Sequence, residues 1–294
     1  MLLPYVLKHY DVKKPEKVEA FLVRVVKLSE SLALSLLQKG KIVDHKKRRL
    51  QKGQTLKSGY IEVLVFEAIT KGLIPLFQCE HFAIFDKPSG LLVHPSTRST
   101  QYTLLDEIRY QFGEEAHLVH RIDAETSGLI LVSKNGYAQY LLKELFAKKE
   151  FVKKYKALVE GEIKEEMLIT KNIGPSDGLI KLKMMTSPHG KDSSTEIRVL
   201  HYSKEKNQTL VEALPYTGRQ HQIRVHLDST GHRIVGDPIY GLNERFVDDF
   251  LNNNIKDDER LQVSGASRLM LHAYHLEFTF LNNRYIFCSK QSFS

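Results

Sequence analysis

His120-Arg121-Ile122-Asp123-Ala124-Glu125-Thr126-Ser127-Gly128, running straight into Leu129-Ile130-Leu131-Val132, is the stretch from which the rest of the chain is read. A polar loop with an arginine and an aspartate two residues apart, then a small-residue turn, then an apolar run, describes a loop that feeds a buried strand and holds charge at the lip of a core. The same residue types also describe ordinary loop chemistry, with Arg121 paired to Asp123 at the surface.

Working outward, Phe82-Ala83-Ile84-Phe85 reads as a buried strand, and Asp86-Lys87-Pro88-Ser89-Gly90 forces a turn after it. Downstream, Ala138–Lys149 places Leu141, Leu142, Leu145 and Phe146 on one face, a helix with Lys148 and Lys149 in its last turn. The segment Lys154–Gly161 alternates charged with core types, so Tyr155, Ala157 and Val159 point inward from a strand. Residues 173–192 read as a loop-rich excursion, and Thr195–His201 and Thr209–Leu214 as strands.

A second dense stretch follows, Thr217-Gly218-Arg219-Gln220-His221-Gln222-Ile223-Arg224-Val225-His226-Leu227, continuing to Gly236-Asp237-Pro238-Ile239-Tyr240-Gly241. Ile223 and Leu227 sit four apart, which suits a short helix with Gln220 and Arg224 on one face. His221 and His226 are five apart, not the i, i+4 pair of helical zinc sites, and structural hydrogen bonding is the plainer role for both. A polar insert from Asn243 to Val263 precedes Arg268-Leu269-Met270-Leu271-His272-Ala273.

Toward the N-terminus, residues 16–68 read as a small module. Val18, Phe21, Leu22, Val25 and Val26 recur at helical spacing, Ser29 can cap a second helix, and Gly40 stops it. The basic run Lys46-Lys47-Arg48-Arg49 and a strand at Ile61–Phe66 follow. This division predicts an extension over 1–15, the module over 16–68, a linker over 69–80 and a large domain over 81–294.

With 294 residues, 42% hydrophobic and 27% charged, the chain can bury such a pair of cores and is not of the disordered type. Its formal net charge of +8 suits a polyanion. No apolar run approaches the roughly 20 residues of a membrane span, and Met1–Leu7 lacks a signal peptide's basic start, so a cytoplasmic location and no membrane partner are expected. Cys79 and Cys288 have no metal-ligand spacing, so neither a disulfide framework nor a metal site is expected.

His-Arg-Ile-Asp-x-x-Thr-Ser-Gly before an aliphatic strand resembles the signature of the RluA-type pseudouridine synthases, where Leu is usual at the position of Ile122. Lys87-Pro88-x-Gly90-Leu91, the Lys-x-Tyr-x-Ala-x-Val-x-Gly spacing around Tyr155, Thr217–His226 and Arg268–Ala273 resemble further motifs of that family. Residues 16–68 resemble its alpha-L type RNA-binding domain, with Glu30 where arginine is usual and the Asn-Gly turn replaced.

The resemblance implies an α+β fold: a mixed, largely antiparallel bent sheet flanked by helices, with a central RNA-binding cleft, plus the small N-terminal α/β RNA-binding domain. It implies Asp123 as catalytic carboxylate, Arg224 as its partner and Tyr155 stacked on the target base, with Arg121 filling the space the base leaves. Lys87, Arg219 and His221 are expected at the RNA, as are Lys46, Lys47, Arg48 and Arg49, with no cofactor.

The chemistry fits such a set. Uridine isomerisation breaks a glycosidic bond, turns a retained uracil and rejoins it through carbon 5, for which a carboxylate, its cation and an aromatic face suffice. Structured RNA is therefore the expected partner, large-subunit ribosomal RNA first and transfer RNA second, acted on by a monomer. An RNA-binding or ribosome-assembly factor and a small-molecule glycosidase are the competing classes.

Overall fold

The computed structural model describes residues 5–95 and 100–291. The chain divides after Thr70 into two compact units, the larger comprising Lys71–His94 and Thr103 onward. Its architecture is α+β and largely antiparallel.

In the larger unit a ten-stranded sheet runs, among the described residues, in the order Met167–Ile169, Thr195–Ser203, Gln208–Pro215, Phe151–Glu160, Leu271–Phe280, Ser127–Ser133, Phe82–Lys87, Phe77–Gln78. Asn283–Cys288 pairs with Leu271–Phe280, and His117–Leu118 with Ser127–Ser133. Ser127–Ser133 against Leu271–Phe280 is a parallel pairing in an otherwise antiparallel sheet.

The apolar run after the first dense stretch is unbroken because both faces of its strand are covered. Ile130 and Val132 join Ala83 and Phe85 in a core that includes Leu104 and Ile108 of the helix Leu104–Phe112. Leu129 and Leu131 join Phe82 and Ile84 on the other face, over Ala138 and Leu142 of the helix Gly136–Ala147. Gly128 is required at the strand's start: at φ +111° a Cβ there would lie 2.2 Å from the carbonyl oxygen of Ala273 on the parallel neighbour.

Several boundaries differ from the sequence reading. The helix expected over Ala138–Lys149 starts at Gly136, capped by Asn135 whose Oδ1 accepts from the Ala138 amide, and Lys148 and Lys149 lie past its end. Leu104–Phe112 has no counterpart in the reading, although Thr103 and Asp106 form a capping box. The polar insert folds as two helices, Glu244–Leu251, which buries Phe246 and Val247, and Asp257–Ser264, which is polar along most of its length. The excursion at 173–192 contains the pairing of Ile173–Pro175 with Met184–Thr186. The expected linker is partly sheet, since Phe77–Gln78 pairs with the strand Phe82–Lys87 and the Gln111 amide donates to the carbonyl of Leu73.

The smaller unit holds a three-stranded antiparallel sheet in the order Tyr5–Val12, Gly59–Phe66, Ile42–Asp44, with helices Val18–Arg24 and Glu30–Gln38. Val18, Phe21, Leu22, Leu37, Ile42, Ile61 and Val63 form its core. The Ser29 hydroxyl accepts from the Leu32 amide, and Gly40 closes the second helix at φ +62°. Of the extension expected over 1–15, residues 1–4 lie outside the described residues and Tyr5–Val12 is a strand. An edge strand with Leu7, Lys8 and His9 all exposed carries little alternation for a sequence to reveal.

Histidines give the fold a testable pH dependence. The Nε2 of His120 accepts from the Leu131 amide at 3.0 Å and the ring stacks on Phe146, so the imidazole must stay neutral. Burial, with Lys153 nearby, pushes its pKa down to about 3. Burial likewise lowers His117, His226 and His272, and takes His221 to about 4. Below the unfolded value near 6.5 the unfolded chain binds protons that the native state refuses, so this stabilisation is complete above that pH and lost as pH falls. Urea unfolding should show stability dropping by roughly 3 kcal/mol from pH 7 to pH 5. A flat profile over that interval would contradict neutral burial.

Candidate active site

The loop His120–Thr126, anchored by the strand that follows it, places Asp123 beside the helix Gln222–Asp228. That helix begins at His221, which adopts φ +56°, and Gln222 pins the preceding loop. Its side-chain oxygen accepts from the Thr217 hydroxyl and the Arg219 amide, while its nitrogen donates to the Ser194 carbonyl and the Thr195 hydroxyl. Gln220, expected on the face of Arg224, lies ahead of the helix. His226 is structural, its ring nitrogens lying 2.8 Å from the Thr195 hydroxyl and 2.9 Å from the Lys171 carbonyl.

Arg224 is 2% exposed and sits between two carboxylates. Its Nη1 donates to Oδ2 of Asp123 at 3.1 Å. Its Nε and Nη2 donate to the two oxygens of Asp237, each at 2.8 Å, a bidentate pair with no exposed surface on the aspartate side chain. Asp237 also accepts from the amides of Ile239 and Tyr240. Burial opposes the charge on Arg224, but Asp237 and Asp123 outweigh it and hold the guanidinium above its ordinary pKa. Burial opposes the Asp237 carboxylate too, and Arg224 with the two amides keeps it below the usual range. Tyr240 completes the set, its ring 5.0 Å from the guanidinium carbon.

Asp237 and Tyr240 are functional candidates that the residue-by-residue reading did not single out. Their signal was Gly236–Gly241 itself, a turn with a buriable acid and an aromatic following the helix that carries Arg224.

A cavity of about 890 Å³ opens over this pair, lined by Arg121, Asp123, Tyr155, Arg219, His221 and Arg224 among others. Tyr155 forms part of its wall. On the sheet it stands opposite Ala213 on one neighbouring strand and Ala273 on the other, so small side chains flank the ring. Burial, with Asp123 nearby, pushes the phenol pKa upward, so the ring is neutral. Arg121 is exposed, and the Nε of Arg219 donates to the Asp192 carbonyl at 2.9 Å. Phe146, Phe151, Lys149 and Lys153 add aromatic and basic lining. Among the described residues no group of His, Cys, Asp and Glu is arranged to hold a metal, and no helix is long and apolar enough to cross a membrane.

Lys87 requires a correction. It is fully buried, and its ammonium donates to the carbonyls of Pro88, Leu91 and Ala124 at 2.7 to 2.9 Å, so it cannot meet RNA. Burial pushes its pKa down to about 7 against the pull of Glu125 and Asp123. Its three hydrogen bonds tie the turn after the strand Phe82–Lys87 to the loop carrying Asp123.

In the smaller unit Lys46, Lys47, Arg48 and Arg49 are all exposed. Two of the four are already paired: Lys47 with both oxygens of Glu62, and Arg48 with Asp44.

A family model described as RNA pseudouridylate synthase matches residues 81–229, a span that contains Asp123, Tyr155 and Arg224. A Helicobacter pylori strain J99 protein named an uncharacterized RNA pseudouridine synthase is 34% identical over 96% of this chain and 94% of its own length. A Nitrosomonas europaea protein named ribosomal large subunit pseudouridine synthase D is 37% identical over 69% of this chain and 57% of its own length. Among solved structures, human RNA pseudouridylate synthase domain containing 1 aligns with a TM-score of 0.60 and 25% identity, covering 75% of this chain and 84% of that one.

Proposed function

This chain belongs to the RNA pseudouridine synthase family and is an RNA pseudouridine synthase, and we propose that its substrate is a uridine of large-subunit ribosomal RNA, with Asp123 as the catalytic carboxylate. The site reading rests on one observation: an aspartate lining a cavity, joined to a buried arginine that a second aspartate also holds. The ribosomal target rests on the names of relatives such as the Nitrosomonas protein.

Either of two chemistries uses such a carboxylate. It adds to the ribose or the base, or it takes a ribose proton to give a glycal. In both, Arg224 supplies a fixed counter-charge and sets the direction of Oδ2. The uracil released from the sugar stays against the neutral ring of Tyr155, which holds a flat base without fixing its in-plane angle, so rotation is permitted. The target must first leave its stack, at a cost of a few kcal/mol, and Arg121, exposed and two positions before Asp123, is the side chain proposed to fill the gap.

Joining carbon 5 to the sugar expels the hydrogen carried there, so RNA labelled with tritium at uridine carbon 5 reports the reaction directly. Mapping pseudouridines in ribosomal and transfer RNA with and without the gene tests the target. A lost modification confined to transfer RNA would overturn the ribosomal assignment.

The N-terminal basic loop is proposed to contact RNA backbone. Each phosphate contact steepens the slope of log affinity against log salt by about 0.7 to 0.9, but Lys47 and Arg48 must trade existing partners for phosphate. Replacing Lys46, Lys47, Arg48 and Arg49 by alanine should therefore weaken binding and flatten the slope by roughly 1 to 2, less than four free charges would give. Turnover at saturating RNA should hold. An unchanged slope would mean the run is a solvated face.

A further inference from the structure

His221 stands in the wall of the cavity with a hydrogen whose position can be counted out. The Met184 amide donates to the Tyr240 hydroxyl oxygen at 3.0 Å, and that oxygen lies 2.8 Å from Nδ1 of His221. A phenol has one hydrogen to give. Directed at Nδ1, it satisfies Met184, Tyr240 and His221 together and leaves the imidazole proton on Nε2. The reverse arrangement would leave the hydroxyl hydrogen of Tyr240, a residue only 2% exposed, with no acceptor among the described residues, and buried polar groups rarely adopt such states. The imidazole is neutral, because burial and Arg224 depress its basicity.

His221 lines the cavity, and its donor is then the nitrogen on the side of Asp123. Nε2 lies 3.9 Å from Oδ2 of Asp123, too far for a hydrogen bond between them. A donor and an acceptor at that separation are complementary to a single hydroxyl group, which can accept from one and donate to the other at ordinary hydrogen-bond lengths. Both groups line the cavity assigned to the extruded nucleotide. Ribose offers a hydroxyl on the carbon next to the glycosidic carbon, and deoxyribose has none there.

We propose that His221 Nε2–H and the Asp123 carboxylate together bind the 2′-hydroxyl of the target uridine, making His221 a catalytic-site residue that reads ribose. The proposal rests on the assignment of Asp123 above. Tyr240 acts on it indirectly, as the positioning residue that fixes the tautomer of His221. Arg219 and Arg121 also reach the cavity, but neither is paired with an acceptor in this way.

The nitrogen spectrum of histidine-labelled protein, assigned with the His221→Gln variant, should show His221 protonated at Nε2, and Tyr240→Phe should disturb that signature. Tritium release is then measured on a stem-loop RNA carrying the mapped uridine, in the ribose form and with 2′-deoxyuridine at that position. His221→Ala should slow the ribose substrate by about tenfold or more and the deoxy substrate by less than about threefold. His221→Gln, whose amide offers a donor at similar reach, should recover most of the loss. Equal slowing of both RNAs, or a proton found on Nδ1, would overturn the proposal. Loss of the underlying reading looks different: the wild type releases no tritium, or Asp123→Asn matches it.

Discussion

Asp123→Asn should leave a folded protein that forms pseudouridine at least about 1000-fold more slowly, because the variant keeps the shape of the side chain and gives up the charge on which addition or proton removal depends. The fold has little at stake in that charge. Asp123 is 25% exposed on its side chain, and the buried guanidinium it meets retains its bidentate partner Asp237 when it is replaced. An asparagine oxygen can still accept from Nη1, so denaturation midpoints should stay close to wild type, within about 1 kcal/mol. The comparison is tritium release under single-turnover conditions together with urea unfolding of the same preparations. A variant that is both stable and active would take the catalytic role away from Asp123, and one that is inactive only because it is unfolded would show it in the second measurement.

How much of this site could be read from residues alone follows from where each partner lies in the chain. Arg121, Asp123, Arg219 and Arg224 fall in two short dense stretches, and Tyr155 on a strand whose alternation gives its direction, so the pattern carries them. The pairing of Asp123 with Arg224 spans 101 positions, and no local period encodes it. The family likeness supplied it, and the buried geometry gives it a physical reason. Asp237 stands before a proline, where aspartate is common in turns, and nothing local marks it as a partner of Arg224. Its side chain instead reaches back to Arg224 thirteen positions earlier, while its own loop donates two amides to it.

Lys87 misled for the opposite reason. A lysine beside a proline-glycine turn is ordinarily solvated, and only the fold reveals that one of its three carbonyl partners, Ala124, comes from the loop of Asp123 itself. The helix Leu104–Phe112 and the edge strand Tyr5–Val12 were missed as elements, the first despite a capping box, the second because an exposed edge erases the alternation that marks a strand. The helices Val18–Arg24 and Glu30–Gln38 and the buried run Leu129–Val132 were legible because each carries its own period or its own cap.

Asp237→Ala should damage both stability and rate, and the two losses have separable causes. Removing the aspartate leaves a guanidinium that is 2% exposed with only Asp123 to face it, and an uncompensated buried charge of this kind costs roughly 3–5 kcal/mol. Much of that is the penalty of the orphaned arginine rather than the worth of the pair. Urea unfolding of Asp237→Ala should therefore show a larger loss than the double replacement Arg224→Met with Asp237→Leu, in which no charge is stranded and the volume is largely kept. The rate behaves otherwise. In the single variant Arg224 survives but is free to swing, so Oδ2 of Asp123 loses its fixed direction and single-turnover tritium release should fall about 100-fold with RNA affinity near wild type. In the double variant the counter-charge is gone altogether, and the rate should fall further even as stability returns. A double variant less stable than Asp237→Ala would show that the buried ion pair contributes net stability here, and an Asp237→Ala enzyme with wild-type rate would show that Arg224 needs no second carboxylate to hold it.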